Sequence, residues 1–343
     1  MRRAAFRTRR FRHVRALRLV LLAIVALGPA PGTFVRAPNQ YRTDPAEVQV
    51  TPRPERQGVT GSLPVEGVWE LTSDHAGFGG FSALVKGEGP SLIAGTDRGF
   101  LLDLDLDLAG GAPRAVPGSF RFVGIGTAGR REFVDLESLA RDPETGTLWA
   151  GFESQNLVVR FPRSGGRSIL APPAMAGWGV NSGPETMERL ADGRFLVVAE
   201  GYTGSDRTVH DALLFPGDPV LGEKPLAFRF IGPPNFEPVD AAELPDGRVL
   251  VLLRVVNFRF PAVFNAGIAI GDPRQIRAGA PWKVRMIAHL QKGIFAENFE
   301  GIAYVPSPAD PQRGSIWLIA DDNFSVFQRT LVVRMGWDGA AVP

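Results

Sequence analysis

Short apolar runs separated by turns occupy most of the chain, from residue 66 to residue 336. The runs are rich in Val, Ile, Leu and Phe, and they are bounded by Gly, Pro and Asp-Gly pairs. Such runs are typical of β-strands, because these bounding residues favour turns and the β-branched and aromatic residues favour extended backbone. No amphipathic helical pattern of useful length interrupts them. The pattern predicts an all-β fold.

One short phrase, with an acidic residue near its start in four of its five copies, recurs along these strands. The copies are Asp135-Leu-Glu137-Ser-Leu-Ala, Pro184-Glu185-Thr-Met, Pro238-Val-Asp240-Ala-Ala and Asn298-Phe-Glu300-Gly-Ile-Ala, and a fifth copy, Gly80-Phe-Ser82-Ala-Leu, carries Ser in place of the carboxylate. Their anchor residues, from Ser82 to Glu300, are 55, 48, 55 and 60 residues apart. Each interval holds about four strand signals, which predicts a β-propeller with four-stranded blades.

The five anchors favour five blades. Three strand signals follow Glu300, and we expect the fourth strand of that blade to come from Val68–Thr72, at the other end of the repeat region. An N-terminal strand in this position would close the ring and remove a sheet edge. Six blades is the alternative, if residues 255–270 belong to a further blade.

The N-terminal residues have a different composition. Residues 1–30 contain no Asp or Glu and eight arginines, all of them at or before Arg18. The apolar run Leu19–Leu27 comes after these arginines and is followed by Gly and Pro. This order is typical of an export signal, with an uncleaved membrane anchor as the alternative. We therefore assign 1–30 to a signal, 31–62 to a flexible leader and 63–339 to the propeller, and expect a periplasmic or secreted protein with no membrane span once the signal is removed.

Charge and cysteine content narrow the function classes. Without residues 1–30, the 38 basic residues become 38 − 8 = 30, against 36 acidic ones, so the remaining chain carries a net charge near −6. This balance argues against a nucleic-acid partner. The chain has no Cys, which excludes a thiolate nucleophile and a Cys-ligated metal. We expect a monomer that binds a small anionic or ester substrate.

The repeat predicts two rings of polar residues at one mouth of the central axis. In a propeller the innermost strand lines the axis, and its start lies beside the end of the next strand. Ser82, Glu137, Glu185, Asp240 and Glu300 lie at the first position, and Asp97, Glu153, Glu200, Arg254 and Asp321 at the second. We expect Asn323, in a loop on the same face, and the basic residue Arg131 to contribute as well.

So many carboxylates would raise one another's pKa unless they are compensated. Three kinds of compensation stay open: a hard cation such as Ca²⁺, Arg254 or Arg131, and proton sharing that leaves one carboxyl as a general acid. A structural alternative also stays open, in which each acidic residue accepts backbone N–H groups from the neighbouring blade.

The phrases resemble those of the phytase-like family, also described as "esterase-like activity of phytase" proteins. The resemblance rests on Gly79-Gly-Phe-Ser-Ala-Leu84, Asp135-Leu-Glu-Ser-Leu-Ala-Arg-Asp142, Gly183-Pro-Glu-Thr-Met187, Asp240-Ala-Ala-Glu-Leu-Pro-Asp-Gly-Arg248, and Asn298-Phe-Glu-Gly-Ile-Ala303 with Trp317-Leu-Ile-Ala-Asp-Asp-Asn323. It implies an exported propeller that hydrolyses phosphate or carboxylic esters. Matched to the family's acidic positions, Glu137, Glu185, Asp240 and Glu300 become the catalytic candidates.

In this interpretation Arg254, Ser82, Asn323 and Arg131 would bind the substrate. Glu153, Glu200, Asp97 and Asp321 would hold the metal, with Ca²⁺ as the expected ion. The alternative function is a non-catalytic periplasmic propeller that binds a ligand or a protein through the same face.

Overall fold

The computed structural model describes residues 46–54, 63–109, 111–124, 135–179, 181–257, 263–291 and 293–339. In chain order the strands are β1 Gln49–Pro52, β2 Val65–Thr72, β3 Phe81–Lys86, β4 Ser91–Thr96, β5 Phe100–Asp105, β6 Arg114–Ala115, β7 Arg121–Phe122, β8 Leu136–Arg141, β9 Leu148–Phe152, β10 Leu157–Phe161, β11 Ser168–Leu170, β12 Pro184–Arg189, β13 Phe195–Tyr202, β14 Val209–Phe215, β15 Leu226–Ile231, β16 Glu237–Glu243, β17 Val249–Asn257, β18 Val263–Gly271, β19 Pro281–Lys283, β20 Arg285–Leu290, β21 Asn298–Pro306, β22 Gly314–Asp321 and β23 Leu331–Trp337. Helical structure in the described residues is limited to short 3-10 turns at Pro173–Met175, Pro219–Leu221, Pro273–Gln275 and Gly293–Ala296. None of the described segments forms a helix long and apolar enough to cross a membrane.

The strands form five sheets, which are the five blades of a β-propeller. Blades one to four begin with the inner strands β3, β8, β12 and β16, and blade five begins with β21. Each blade packs on the next through a separate group of buried apolar side chains, and one such group joins blade five to blade one. The predicted all-β propeller is confirmed, with five blades rather than six.

Blade five is completed by the N-terminal strand β2, as expected. Its order is β1-β2-β23-β22-β21, and the Trp69 ring of β2 stacks on Trp317 of β22 at a centroid distance of 5.7 Å. The outermost strand, β1, lies inside the segment 31–62 that the sequence predicts to be a flexible leader. Residues 49–52 are instead paired in register with Trp69–Thr72, because the edge of β2 offers unpaired backbone groups.

Two further features of the strands come from the structure alone. The hairpin of β17 and β18 is long, with Val255 paired to Asn265 and Asn257 to Val263. In blade one the outer strand is split into β6 and β7, which both pair with β5. Pro117 lies between the two pieces and cannot donate a ladder hydrogen bond.

Every inner strand contains a β-bulge near its start. The register shifts between Phe81 and Ala83, Leu136 and Ser138, Pro184 and Thr186, Pro238 and Asp240, and Phe299 and Gly301. The extra residues are therefore Ser82, Glu137, Glu185, Val239 and Glu300. A bulged residue is left out of the ladder and its side chain is redirected. Val239, and not Asp240, holds the position of the recurring carboxylate in blade four.

Asp240 lies one residue beyond its bulge and has a different role from the one expected. It is fully buried, and its Oδ2 accepts the backbone N–H of Ile302 at 2.8 Å and of Leu84 at 3.3 Å. These residues belong to the inner strands of blades five and one. Asp240 therefore connects three inner strands across the axis, which is the structural alternative noted for this residue type.

We predict that Asp240→Ala destabilises the propeller by about 2–4 kcal/mol, because buried N–H groups left without an acceptor each cost about 1–3 kcal/mol. Asp240→Asn keeps one acceptor oxygen and serves as the matched control, with a smaller expected loss. Urea denaturation followed by tryptophan fluorescence measures both. An alanine variant within about 0.5 kcal/mol of wild type, the usual range for surface substitutions, would contradict this role.

Candidate functional site

Three of the five bulged residues are glutamates that meet at one end of the central axis. Glu137, Glu185 and Glu300 are each less than 10% exposed. Burial and the neighbouring carboxylates raise the pKa of all three above the usual range, because desolvation and repulsion both penalise the charged form. The other two bulged residues carry no charge, since Val239 is apolar and the Ser82 hydroxyl donates to the carbonyl of Leu136 in the next blade.

The second predicted ring is also present at this mouth. In blades one to three the residue just after the last paired position of the second strand is Asp97, Glu153 and Glu200. In blades four and five the last paired residues themselves are Arg254 and Asp321. Opposite them lies a third set that the sequence analysis did not single out: Gly80, Asp135, Gly183, Glu237 and Asn298. In the sequence, four of these residues lie two positions before a recurring anchor residue, but Glu237 lies three positions before Asp240.

Arg254 is the basic member of the second ring and is already paired. Its guanidinium bridges Glu300 and Glu200, and Nη1 lies 3.4 Å from Oδ1 of Asn298. Burial opposes the charged form, but Glu300 and Glu200 hold the pKa of Arg254 above its usual range. Arg254 therefore offsets part of the negative charge on one side of the cluster. There it forms one ion-paired network with Glu300 and Glu200.

On the other side of the cluster, Glu200 is paired with Arg254, and the remaining carboxylates have no basic partner among the described residues. Two groups of three have ligand oxygens within 4.8 Å of one another: Asp135, Glu137 and Glu153, and Glu153, Glu185 and Glu200. Glu153 belongs to both groups. Burial raises its pKa to about 7, and Glu200 and Asp135 add to the shift. Oxygen ligands in this number suit a hard cation such as Ca²⁺, which would replace the missing positive charge.

Asp97 and Asp321 lie next to this region but outside both groups of three. Asp97 has a buried Oδ1 with no hydrogen-bond partner, and burial raises its pKa to about 8. Asp321 accepts the backbone N–H of Asn323 at 2.7 Å. Of the four residues predicted to bind metal, Glu153 and Glu200 therefore lie where their oxygens converge, and Asp97 and Asp321 do not.

The backbone at Asp135 is strained. Its φ angle is 89°, a region that residues other than glycine rarely adopt. The carboxylate is held in place by the hydroxyl and the backbone N–H of Ser154. Strained residues tend to lie at functional sites, where the surrounding structure compensates their cost. The strain at Asp135 is therefore consistent with a functional position at this mouth.

The remaining predicted residues lie at the edge of the site or outside the described chain. Asn323 is exposed and also has a positive φ, 48°. It follows Asp322, whose Oδ1 accepts the N–H of Gly80 at 3.0 Å. Arg131 lies outside the described residues, as does the predicted signal 1–30.

We predict that the metal-free protein loses stability as the pH rises from about 4.5 to about 8. The pKa values of Glu153, about 7, and Asp97, about 8, lie above the ordinary values near 4. The folded protein keeps protons that the unfolded chain releases in this window, so raising the pH favours unfolding. Urea midpoints in EDTA at pH 5, 6.5 and 8 should decline.

Glu153→Gln is the matched variant for this prediction. It removes one raised carboxyl and should give a shallower decline than wild type. Burial lowers the pKa of His210, which acts in the opposite direction but equally in both proteins. Identical slopes for the two proteins would contradict the contribution of Glu153.

Comparison with solved structures found chains of limited similarity. The structure is similar to virginiamycin B lyase from Staphylococcus aureus (TM-score 0.40, 12% identity, covering 85% of this chain and 99% of that one) and to the WD40 β-propeller domain of Doa1 (0.40, 10%, 80% and 97%). It is also similar to hydrazine synthase from Kuenenia stuttgartiensis (0.36, 12%, 74% of this chain), of which the chain spans 62%. No curated protein sequence matches the chain.

The family comparison is more informative. The model of the phytase-like family, described as "esterase-like activity of phytase", matches residues 76–324. This range runs from the segment before the inner strand of blade one to the loop after Asp321, and it contains all three sets of residues at the acidic mouth. The match covers well over half of the chain, and the protein therefore belongs to the phytase-like family.

Proposed function

We propose that this propeller hydrolyses a phosphate or carboxylic ester at the acidic mouth, with the help of a bound divalent cation. The observation that carries the proposal is the convergence of Asp135, Glu137, Glu153, Glu185 and Glu200, of which only Glu200 forms an ion pair among the described residues, with Arg254. Buried carboxylates at such short range are costly to ionise, and both proton uptake and metal binding relieve that cost. The N-terminal sequence adds to the proposal an exported, periplasmic or secreted, location.

The residues divide into a metal-binding side and an arginine side. Asp135, Glu137, Glu153, Glu185 and Glu200 would hold the cation, which supplies positive charge for an anionic substrate and polarises the ester oxygen. Glu153 would contribute to both groups of ligands. Because the substrate is an ester with a developing negative charge, a metal on this side would offset the repulsion that the carboxylates otherwise exert.

On the other side, Arg254 would orient the substrate rather than act as a free anion-binding group. Its guanidinium is already held by Glu300 and Glu200, so an incoming anion has to share it. Its buried Nε has no hydrogen-bond partner. Glu300, Asn298 and Glu200 occupy three of the five N–H groups of the guanidinium. Arg254 therefore has few donors left to offer, which favours an ester with one anionic group over a heavily phosphorylated one.

Asp97 would serve as the proton donor to the leaving group. Its Oδ1 is buried, has no partner and lies among the carboxylates of the mouth. A protonated carboxyl in this position can transfer its proton without first breaking another hydrogen bond. Ser82 is a weaker candidate for chemistry, because its hydroxyl is used in the contact with Leu136.

We predict hydrolysis of p-nitrophenyl phosphate or p-nitrophenyl butyrate that is lost in EDTA and restored by Ca²⁺. Glu185→Gln removes a ligand charge from the group formed with Glu153 and Glu200. The Ca²⁺ concentration that gives half the maximal rate should rise by at least about tenfold. This is the lower end of the loss of metal affinity seen when residues that support a metal site are altered. Glu223→Gln, at an exposed position, is the matched control.

Activity that survives both EDTA and Glu185→Gln would contradict the metal-assisted mechanism. A Ca²⁺-dependent rise in melting temperature without turnover of either ester would instead support the alternative, a metal-stabilised propeller that binds a ligand or protein. The two esters separate phosphate from carboxylate chemistry.

We predict that Asp97→Asn lowers kcat by about 10²–10⁴-fold, the usual contribution of a positioned general acid. The rise in melting temperature on adding Ca²⁺ should be unchanged, since Asp97 lies outside the two groups of converging oxygens. Parallel measurements of kcat, KM and melting temperature test this assignment. Loss of the Ca²⁺ effect together with kcat would make Asp97 a metal ligand instead.

A further inference from the structure

The opposite end of the central axis carries the opposite charge. Four residues after each bulged position, near the end of the inner strand, lie Lys86, Arg141, Arg189, Glu243 and Tyr304. This register position therefore contributes three cations and one carboxylate. At the acidic mouth the bulged residues contribute three carboxylates and no cation.

Lys86 and Arg141 converge at this end. Nζ of Lys86 donates to the carbonyl oxygen of Gly87 at 3.4 Å, and Nη1 of Arg141 donates to the same oxygen at 3.3 Å. Neither side chain forms an ion pair with a carboxylate of the described residues. Burial lowers the pKa of Lys86, and the positive charge of Arg141 lowers it further. Two cations thus share one neutral acceptor.

The acidic residues nearby do not neutralise this pair. Glu188 accepts the backbone N–H of Glu243 at 2.8 Å, and burial raises its pKa to about 8, so it is largely protonated at pH 7. Glu243 accepts the N–H of Ala191 at 2.6 Å and lies beside Arg189 and Arg194. Arg189 also lies 3.7 Å from Asp142. The other charges at this end are therefore balanced locally, and those of Lys86 and Arg141 are not.

A cavity of about 190 Å³ opens at this end of the axis, and Lys86, Arg141, Glu188, Arg189 and Glu243 lie along it. Its apolar walls come from the inner strands of blades one, four and five, among them Leu84, Ala242 and Ile302. The volume corresponds to about six water molecules at roughly 30 Å³ each. It is large enough for a tetrahedral oxyanion and too small for a large organic ligand.

We propose that this cavity is an anion site, in which Lys86 and Arg141 bind a phosphate-sized oxyanion or the terminal phosphate or carboxylate of a small molecule. The guanidinium would present its planar pair of donors and the ammonium a point charge, the usual combination for oxyanion recognition. Asp240 lies between the two mouths and is fully buried. The site is therefore separate from the acidic mouth and does not rest on the proposed hydrolysis.

The test uses inorganic phosphate as the probe, by isothermal titration calorimetry of the full-length protein at pH 7 in EDTA and at constant ionic strength. Saturable binding is expected in wild type, with at least a tenfold higher Kd in Arg141→Gln and in Lys86→Gln. Lys86→Arg keeps the charge and should retain binding within about threefold. Replacing phosphate with acetate or succinate shows whether the site prefers phosphate or carboxylate.

Three comparisons make the result specific. Arg163→Gln removes an exposed arginine that pairs with Glu88 outside the cavity, and its Kd should equal that of wild type. Glu223→Gln, at an exposed position outside the cavity, should also leave phosphate binding unchanged. Far-UV circular dichroism confirms that each variant is folded. Absence of saturable binding in wild type, or an unchanged Kd in both cavity variants, would overturn the proposal.

Discussion

Closure of five blades around one narrow axis is the constraint on which the rest of the structure depends. Each inner strand places the same register position beside its four counterparts, so a residue type repeated along the chain becomes a cluster in space. Apolar side chains between successive blades hold this arrangement, including the contact between blades five and one. The acidic mouth follows from this geometry, since no single blade would bring its carboxylates together.

The bulge at the start of each inner strand decides which side chains enter the cluster. It removes one residue from the ladder and turns its side chain out of the regular alternation. Glu137, Glu185 and Glu300 occupy that position, whereas Asp240 does not. The result is two carboxylate environments along one axis. At the mouth the acids are close together and poorly compensated, and at the centre one acid is fully occupied by backbone N–H groups.

The two ends of the axis therefore offer different chemistry. We propose a cation and an ester substrate at the acidic mouth, where carboxylates converge, and an anion at the opposite end, where Lys86 and Arg141 line a cavity. Both properties arise from residues at equivalent positions in successive blades. The different balance of charge at the two mouths also makes the two faces of the propeller distinguishable to a charged ligand during diffusion.

The sequence by itself determined the fold class, the number of blades and the closing strand, because strand period and turn chemistry are local properties that repeat. It also identified most residues of the acidic mouth, since five anchors at nearly equal spacing point to one place in a ring. It misplaced Asp240 by one residue and overlooked Asp135 and Glu237. Only the tertiary structure decided these points, because a bulge changes the direction of a side chain without changing the hydrophobic pattern. The pairing of Arg254 with Glu300 and Glu200, and the convergence of Lys86 and Arg141, likewise depend on contacts between blades that are far apart in the chain.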